Sequence, residues 1–221
     1  MTASTRDLIR LQTFMSASFP LGGFAYSQGL ESAVHNGLVG GEDDLCEWIS
    51  GFMTSGSARN DAIVLAAAYR NEDSAEGQEA ICDLARALAQ PLERYLETLS
   101  LGQAFCEAIQ PWPFSETLDL PEASPFPVAV GIAAADLAIP LEAAIASFLQ
   151  SFVSNQTQAA IRLSLIGQTG AQRVIVALED EIVRLSNIYA SSGLDDLGGL
   201  SFQSDIMASR HEHQAVRLFR S

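Results

Sequence analysis

Residues 45–53 read Leu-Cys-Glu-Trp-Ile-Ser-Gly-Phe-Met. Leu45, Trp48, Ile49, Phe52 and Met53 therefore recur at offsets 0, 3, 4, 7 and 8, which lays one apolar stripe along one face of an α-helix. The pattern returns at Leu141, Ile145, Phe148, Leu149 and Phe152, and again at Val174, Leu178, Ile182, Leu185 and Tyr189. Leu92, Tyr95, Leu96 and Leu99 give a fourth stripe. Period-2 alternation is sustained nowhere, so the spacing predicts an all-α chain, a single-domain helical bundle of about nine or ten helices. The punctuation agrees. Thr5 suits a cap for a helix from Arg6, and Pro20, Gly22 and Gly23 precede a second helix over about Tyr26 to Asn36. Gly40 and Gly41 end that unit. Glu42, Asp43 and Asp44 then suit the positive end of the next helix. Pro91 and Pro140 fit first turns. The segment from Pro111 to Pro127 holds five prolines and reads as the main loop. Apolar stripes on both sides of it predict one shared core, with 1–204 as the helical body and 205–221 as a tail of the same domain. The Gly-, Ser- and Asp-rich stretch from Ser192 to Ser204 is expected to be a flexible lead into that tail.

The chain has 221 residues, a net charge of −15 and 48% hydrophobic residues. That composition predicts a packed globule rather than disorder. Its negative charge argues against a nucleic-acid or anionic-membrane partner. No apolar run reaches the roughly 18 residues of a membrane span. The longest, Val128 to Ile139, is broken by Asp136 and bounded by Pro127 and Pro140. Met1 to Arg10 lacks a signal-peptide pattern, so a cytoplasmic location is the expectation. All 12 basic residues are arginine. The lack of lysine excludes a P-loop lysine and lysine Schiff-base chemistry. Cys46, Cys82 and Cys106 form no CxxC pair and read as small buried hydrophobes.

Two segments stand apart. Ser18-Phe19-Pro20-Leu21-Gly22-Gly23-Phe24-Ala25-Tyr26-Ser27-Gln28-Gly29-Leu30-Glu31 packs turn formers and aromatics before a helix. It matches neither GxGxxG nor the P-loop, and a tight turn docking aromatics into the core is the plain reading. The tail holds Arg210, His211, Glu212, His213, Gln214, Arg217, Leu218, Phe219 and Arg220. His and Glu are metal ligands, but on a helix His211 and His213 stand about 200° apart, and HExxH is absent. Arginine and phenylalanine instead suit a partner interface. Val216, Phe219 and Met207 are expected to be exposed unless something covers them, which the tail itself does if it folds back. No GxSxG elbow is present, and His35 is the only histidine outside the tail.

At these segments the chain resembles the UreF family of urease accessory proteins. The stretch from Ser18 to Glu31 is similar to the family's N-terminal signature, and Ser209 to Ser221 to its closing motif. Arg59-Asn60-Asp61 and the run from Ala159 to Leu163 through Gly167-Gln168-Thr169 also look like family features. Gly23, where a small residue such as alanine is usual, is a mild departure. The resemblance implies an all-α homodimer that is not an enzyme. It implies a complex with the UreD/UreH-type protein that recruits and modulates the GTPase UreG and docks on apo-urease. It implies further that no cofactor is stably bound and that nickel is handled by the assembled complex. On this basis Phe24, Tyr26, Ser27, Gln28, Glu31, Arg210, His211, Glu212, Gln214, Arg217, Leu218, Phe219 and Arg220 are the candidate partner-binding residues. Two alternatives are a nickel chaperone using His211, Glu212 and His213, and a small helical enzyme with an unrecognised pocket.

Overall fold

Apolar stripes can be buried only by packing helices on one another, and a computed structural model shows how this chain does so. It describes residues 2–71, 74–89, 92–114, 120–198 and 217–220. Among them are nine α-helices and no strand: α1 (Thr5–Phe14), α2 (Leu30–His35), α3 (Glu42–Thr54), α4 (Ser57–Arg70), α5 (Ala75–Leu88), α6 (Leu92–Ala108), α7 (Phe126–Asp136), α8 (Leu141–Arg162) and α9 (Gln168–Ser191). Two 3-10 turns, Gly23–Ala25 and Leu194–Asp196, complete the set. None of these helices is long and apolar enough to cross a membrane.

The centre is α4 against α7. Every residue from Pro127 to Ala135 is buried, as expected of a helix apolar all round. The two axes come close because Gly131 has no side chain; a Cβ there would lie 2.4 Å from the Leu65 carbonyl oxygen. α3, α8 and α9 pack against α4, α6 packs against α7, and α5 against both. The stripes of α3 and α9 point inward: Leu45, Ile49, Met53, Val174, Leu178 and Tyr189 are all buried. The Tyr189 hydroxyl donates to the Met53 carbonyl at 2.5 Å, which satisfies the polar atom that Tyr189 brings into the core. One main core draws on α1 to α4 and α6 to α9, so the proline-rich loop does not divide it. A smaller cluster, including Val64, Ile81, Cys82, Val128 and Ile132, joins α4, α5 and α7.

Several sequence expectations need correction. The cap of α1 is Ser4, not Thr5: its hydroxyl accepts from the Asp7 N–H, and Asp7 accepts from the Ser4 N–H at 2.8 Å, a closed capping box. The second helix starts at Leu30 rather than Tyr26, because Gln28 and Gly29 both take positive φ, 52° and 81°, which no helix continues through. The proline-rich loop is shorter than expected, since Pro125 caps α7 and Pro127 lies in its first turn. The stripe of α6 is not buried: Leu92 and Leu96 are 63% and 52% exposed. α6 instead buries Glu97, Thr98, Leu101, Gly102 and Phe105, about 140° away round the helix. Gly102 fixes that rotation, for a Cβ there would lie 1.9 Å from the Ser124 carbonyl oxygen. Finally, the described part of the lead after α9 is tied down. Arg59 donates to the Asp196 and Gly198 carbonyls, the Gly198 N–H donates to Asn60, and Arg70 donates to the Ala190 and Ser192 carbonyls.

Of the cysteines, Cys82 is buried, and Cys46 and Cys106 are half-buried. Burial raises all three thiols, that of Cys106 to about 11, so none is a ready nucleophile.

Candidate partner-binding surface

The N-terminal signature is a run of turns held against α8. Gly22 takes a φ of 77° and opens the 3-10 turn Gly23–Ala25, closed by hydrogen bonds from Ala25 to Gly22 and Tyr26 to Gly23. The backbone between this turn and α2 is caught by side chains of α8: Asn155 donates to the Tyr26 carbonyl and Gln156 to the Ser27 carbonyl, each at 3.2 Å. Arg162, at the end of α8, donates to the Phe24 carbonyl. Tyr26, Ser27 and Glu31 are thereby buried, while Phe24 remains 44% exposed.

The end of the tail closes on this run. The Glu31 carboxylate accepts from the Leu218 N–H at 2.8 Å and the Phe219 N–H at 3.0 Å, one oxygen each. The Arg220 N–H donates to the Ala25 carbonyl at 2.7 Å. Phe219 is only 4% exposed, and the Arg162 guanidinium lies 4.2 Å over its ring, a cation–π contact. Arg217 pairs with Glu93 of α6 at 2.7 Å. The chain itself therefore covers Phe219, and the apolar side chain left outward at this edge is Leu218, 53% exposed.

A second set of contacts leads from the signature into the interior. Gln28 donates from Nε2 to Glu97 Oε1 at 2.7 Å. Arg94 stands between Glu97, at 3.6 Å, and Asp61, with which it forms a close pair. Burial raises the Asp61 pKa against the pull of Arg94. Burial also works against the Arg94 charge, but Asp61 and Glu97 together outweigh it and keep the guanidinium protonated.

The structure thus joins Phe24, Tyr26, Ser27, Gln28 and Glu31 with Arg217, Leu218, Phe219 and Arg220 on one surface. Arg210, His211, Glu212 and Gln214 lie outside the described residues, as do Met207, His213 and Val216. Reading the sequence alone did not single out Arg162, Glu93, Arg94, Glu97, Asn155 or Gln156. Arg162 had a signal, since it falls in the run from Ala159 noted for its resemblance. The others sit in ordinary helical sequence and reach the surface only through packing. Among the described residues no group of three or more His, Cys, Asp or Glu side chains could hold a metal ion.

Comparison with known proteins covers nearly the whole chain. The family model of UreF matches residues 39–179. The chain is 44% identical to the urease accessory protein UreF of Allorhizobium ampelinum, over 98% of this chain and 97% of that one. It is 43% identical to the urease accessory protein UreF of Rhizobium leguminosarum bv. viciae, covering 98% and 100%. It is also 43% identical to the urease accessory protein UreF 1 of Brucella canis, covering 98% and 95%. These relatives carry the name of an accessory protein, not of an enzyme. A match of this identity along nearly its whole length means that the chain belongs to the UreF family of urease accessory proteins.

Proposed function

We propose that the chain is a non-catalytic adaptor in urease maturation. As a homodimer it binds the UreD/UreH-type accessory protein, recruits the GTPase UreG and modulates it, and assists nickel insertion into apo-urease. The single observation that carries this reading is the joining of two distant segments into one surface: Glu31 holds the Leu218 and Phe219 N–H groups, and Ala25 holds that of Arg220. Such a surface offers a partner a rigid outline without a nucleophile or a cofactor. Within it the residues divide by exposure. Phe24, Leu218 and Arg220 face outward and supply contact, while Tyr26, Ser27, Glu31 and Phe219 are buried and hold the shape. Exposed apolar residues elsewhere, Leu8 and Ile9 on α1 and Val176 and Val183 on α9, are available to other protein surfaces.

The test is co-expression with the UreD/UreH-type protein of the same source, followed by size-exclusion chromatography with light scattering. The full chain is expected to give a complex with two copies of each protein. A chain ending at Ser204 is expected to lose it, and Phe24→Ala with Leu218→Ala to weaken it by tenfold or more, about 1.4 kcal/mol. No complex from the full, folded chain overturns the reading.

A further inference from the structure

Behind the signature lies a cavity of about 340 Å³, bounded by the loop from Met15 to Phe24, by α4, α6 and α8, and by the start of α7. Its long walls are apolar, among them Leu101, Phe126, Phe148 and Phe152. Its far end is polar, where Gln28, Asp61, Arg94 and Glu97 meet. The hydrogen bonds at that end are not balanced. Gln28 spends its amide N–H on Glu97, and its Oε1 is buried with no hydrogen-bond partner. Arg94 engages Oδ2 of Asp61, and among the described residues no other hydrogen bond reaches that carboxylate. Glu97 and Arg94 are already engaged with each other and with their neighbours. Gln28 Oε1 is thus a buried acceptor without a donor, and Asp61, whose side chain keeps 23% of its surface accessible, offers a second acceptor on the same cavity. Leaving such a buried acceptor unmet is costly, and a donor that fills the space removes the cost.

The charge of the donor is set by its surroundings. At the polar end two carboxylates, Asp61 and Glu97, stand against the single guanidinium of Arg94, which leaves one negative charge in excess, in a chain of net charge −15. An anion is repelled there, a neutral donor is tolerated, and a cation makes the stronger, charge-assisted hydrogen bond. The aromatic walls add the requirement of an apolar stem. A volume of this size suits a small organic molecule or one long side chain. We propose that the cavity binds an organic cation, with its ammonium or guanidinium group donating to Gln28 Oε1 and Asp61 Oδ1 and its apolar stem against Phe126, Phe148 and Phe152. The site does not depend on the adaptor reading. Its occupant is either a free amine or a basic side chain of a protein partner, since the chemistry is the same.

The test uses the full chain and 2-phenylethylammonium as probe, with 2-phenylethanol as its neutral counterpart, by isothermal titration calorimetry. Saturable binding of the ammonium is expected, with the alcohol about tenfold weaker or more. Asp61→Asn should weaken the ammonium about tenfold and leave the alcohol unchanged. Ser151→Phe, which puts a large side chain into the cavity from its α8 wall, should abolish both. Should Asp61→Asn fail to fold, the alcohol comparison and Ser151→Phe decide. No saturable binding of the ammonium, equal binding of the alcohol, or binding unaffected by Ser151→Phe overturns the proposal. Repeating the titration on the complex with the UreD/UreH-type protein separates the two sources. Loss of the probe site there identifies a partner side chain as the occupant, and retention identifies a free amine.

Discussion

Glu31 illustrates how much one carboxylate can organise. It is buried, yet its two oxygens meet two backbone N–H groups from the far end of the sequence. Bonds to a charged acceptor are the stronger kind, each about 1.5–3 kcal/mol. Glu31→Gln keeps the size and removes the charge. It should release residues 217–220 while the helices stay folded, seen as faster proteolysis at Arg217 with an unchanged far-ultraviolet spectrum. Unaltered cleavage would show that Phe219 packing alone holds the tail. Asp7 gives a second case. The Ser4 hydroxyl and N–H both bond its carboxylate and lower its pKa below the ordinary 3.8. A depressed folded value means that the cap supports α1 above pH 3.8, and that this support is lost as pH falls through the lowered value. Carbon-13 titration of the Asp7 carboxyl should have its midpoint below 3.8, and Ser4→Ala should raise it toward that value, the Ser4 N–H and nearby arginines still holding it down. Both residues were visible in the sequence, Glu31 as part of a family signature and Asp7 without notice. The partners of Glu31 were not visible, because a tail that folds back 187 residues later leaves no local trace, whereas the Ser4–Asp7 spacing of a capping box is local and was passed over in favour of Thr5.

Among the helices, close approach and local punctuation set the arrangement. The α4–α7 contact depends on Gly131, where a Cβ would press on the Leu65 carbonyl. Gly131→Ala should therefore destabilise the fold by about 1–3 kcal/mol in urea unfolding, despite the better helix propensity of alanine. A neutral or stabilising result would mean that the two helices can part without loss. This scale also shows where periodicity was sufficient. The stripes of α3, α8 and α9 were legible because each faces a single core. The stripe of α6 misled, since Leu92 and Leu96 repeat at helical spacing yet face outward. The rotation of α6 comes from Gly102 against Ser124 and from the buried Glu97 and Arg94, and such contacts cannot be read from spacing. The start of α2 was missed for a backbone reason: Gln28 at a φ of 52° is an uncommon state for a residue other than glycine. Arg59 and Asn60, noted only as part of a family pattern, prove to be the clasp on the segment after α9.

Taken whole, the molecule carries a charge of −15 on 221 residues. Like charges packed into a compact body repel one another, and salt screens them over about 10 Å at 0.1 M. The melting temperature should rise between about 0.02 and 0.2 M sodium chloride. A fall would mean that ion pairs such as Arg173 with Glu42 outweigh the net repulsion. The all-helical class was legible at this scale because nothing in the sequence competes with the 3.6-residue period. The cavity behind the signature was not, since its walls come from five separated stretches of chain. The surface formed by Glu31 and residues 217–220 bears on the order of events in the cell. A ribosome produces Glu31 early and Leu218 only 187 residues afterwards. The nascent chain therefore cannot display this surface during most of its own synthesis, and a binding protein that recognises it is kept from engaging unfinished copies.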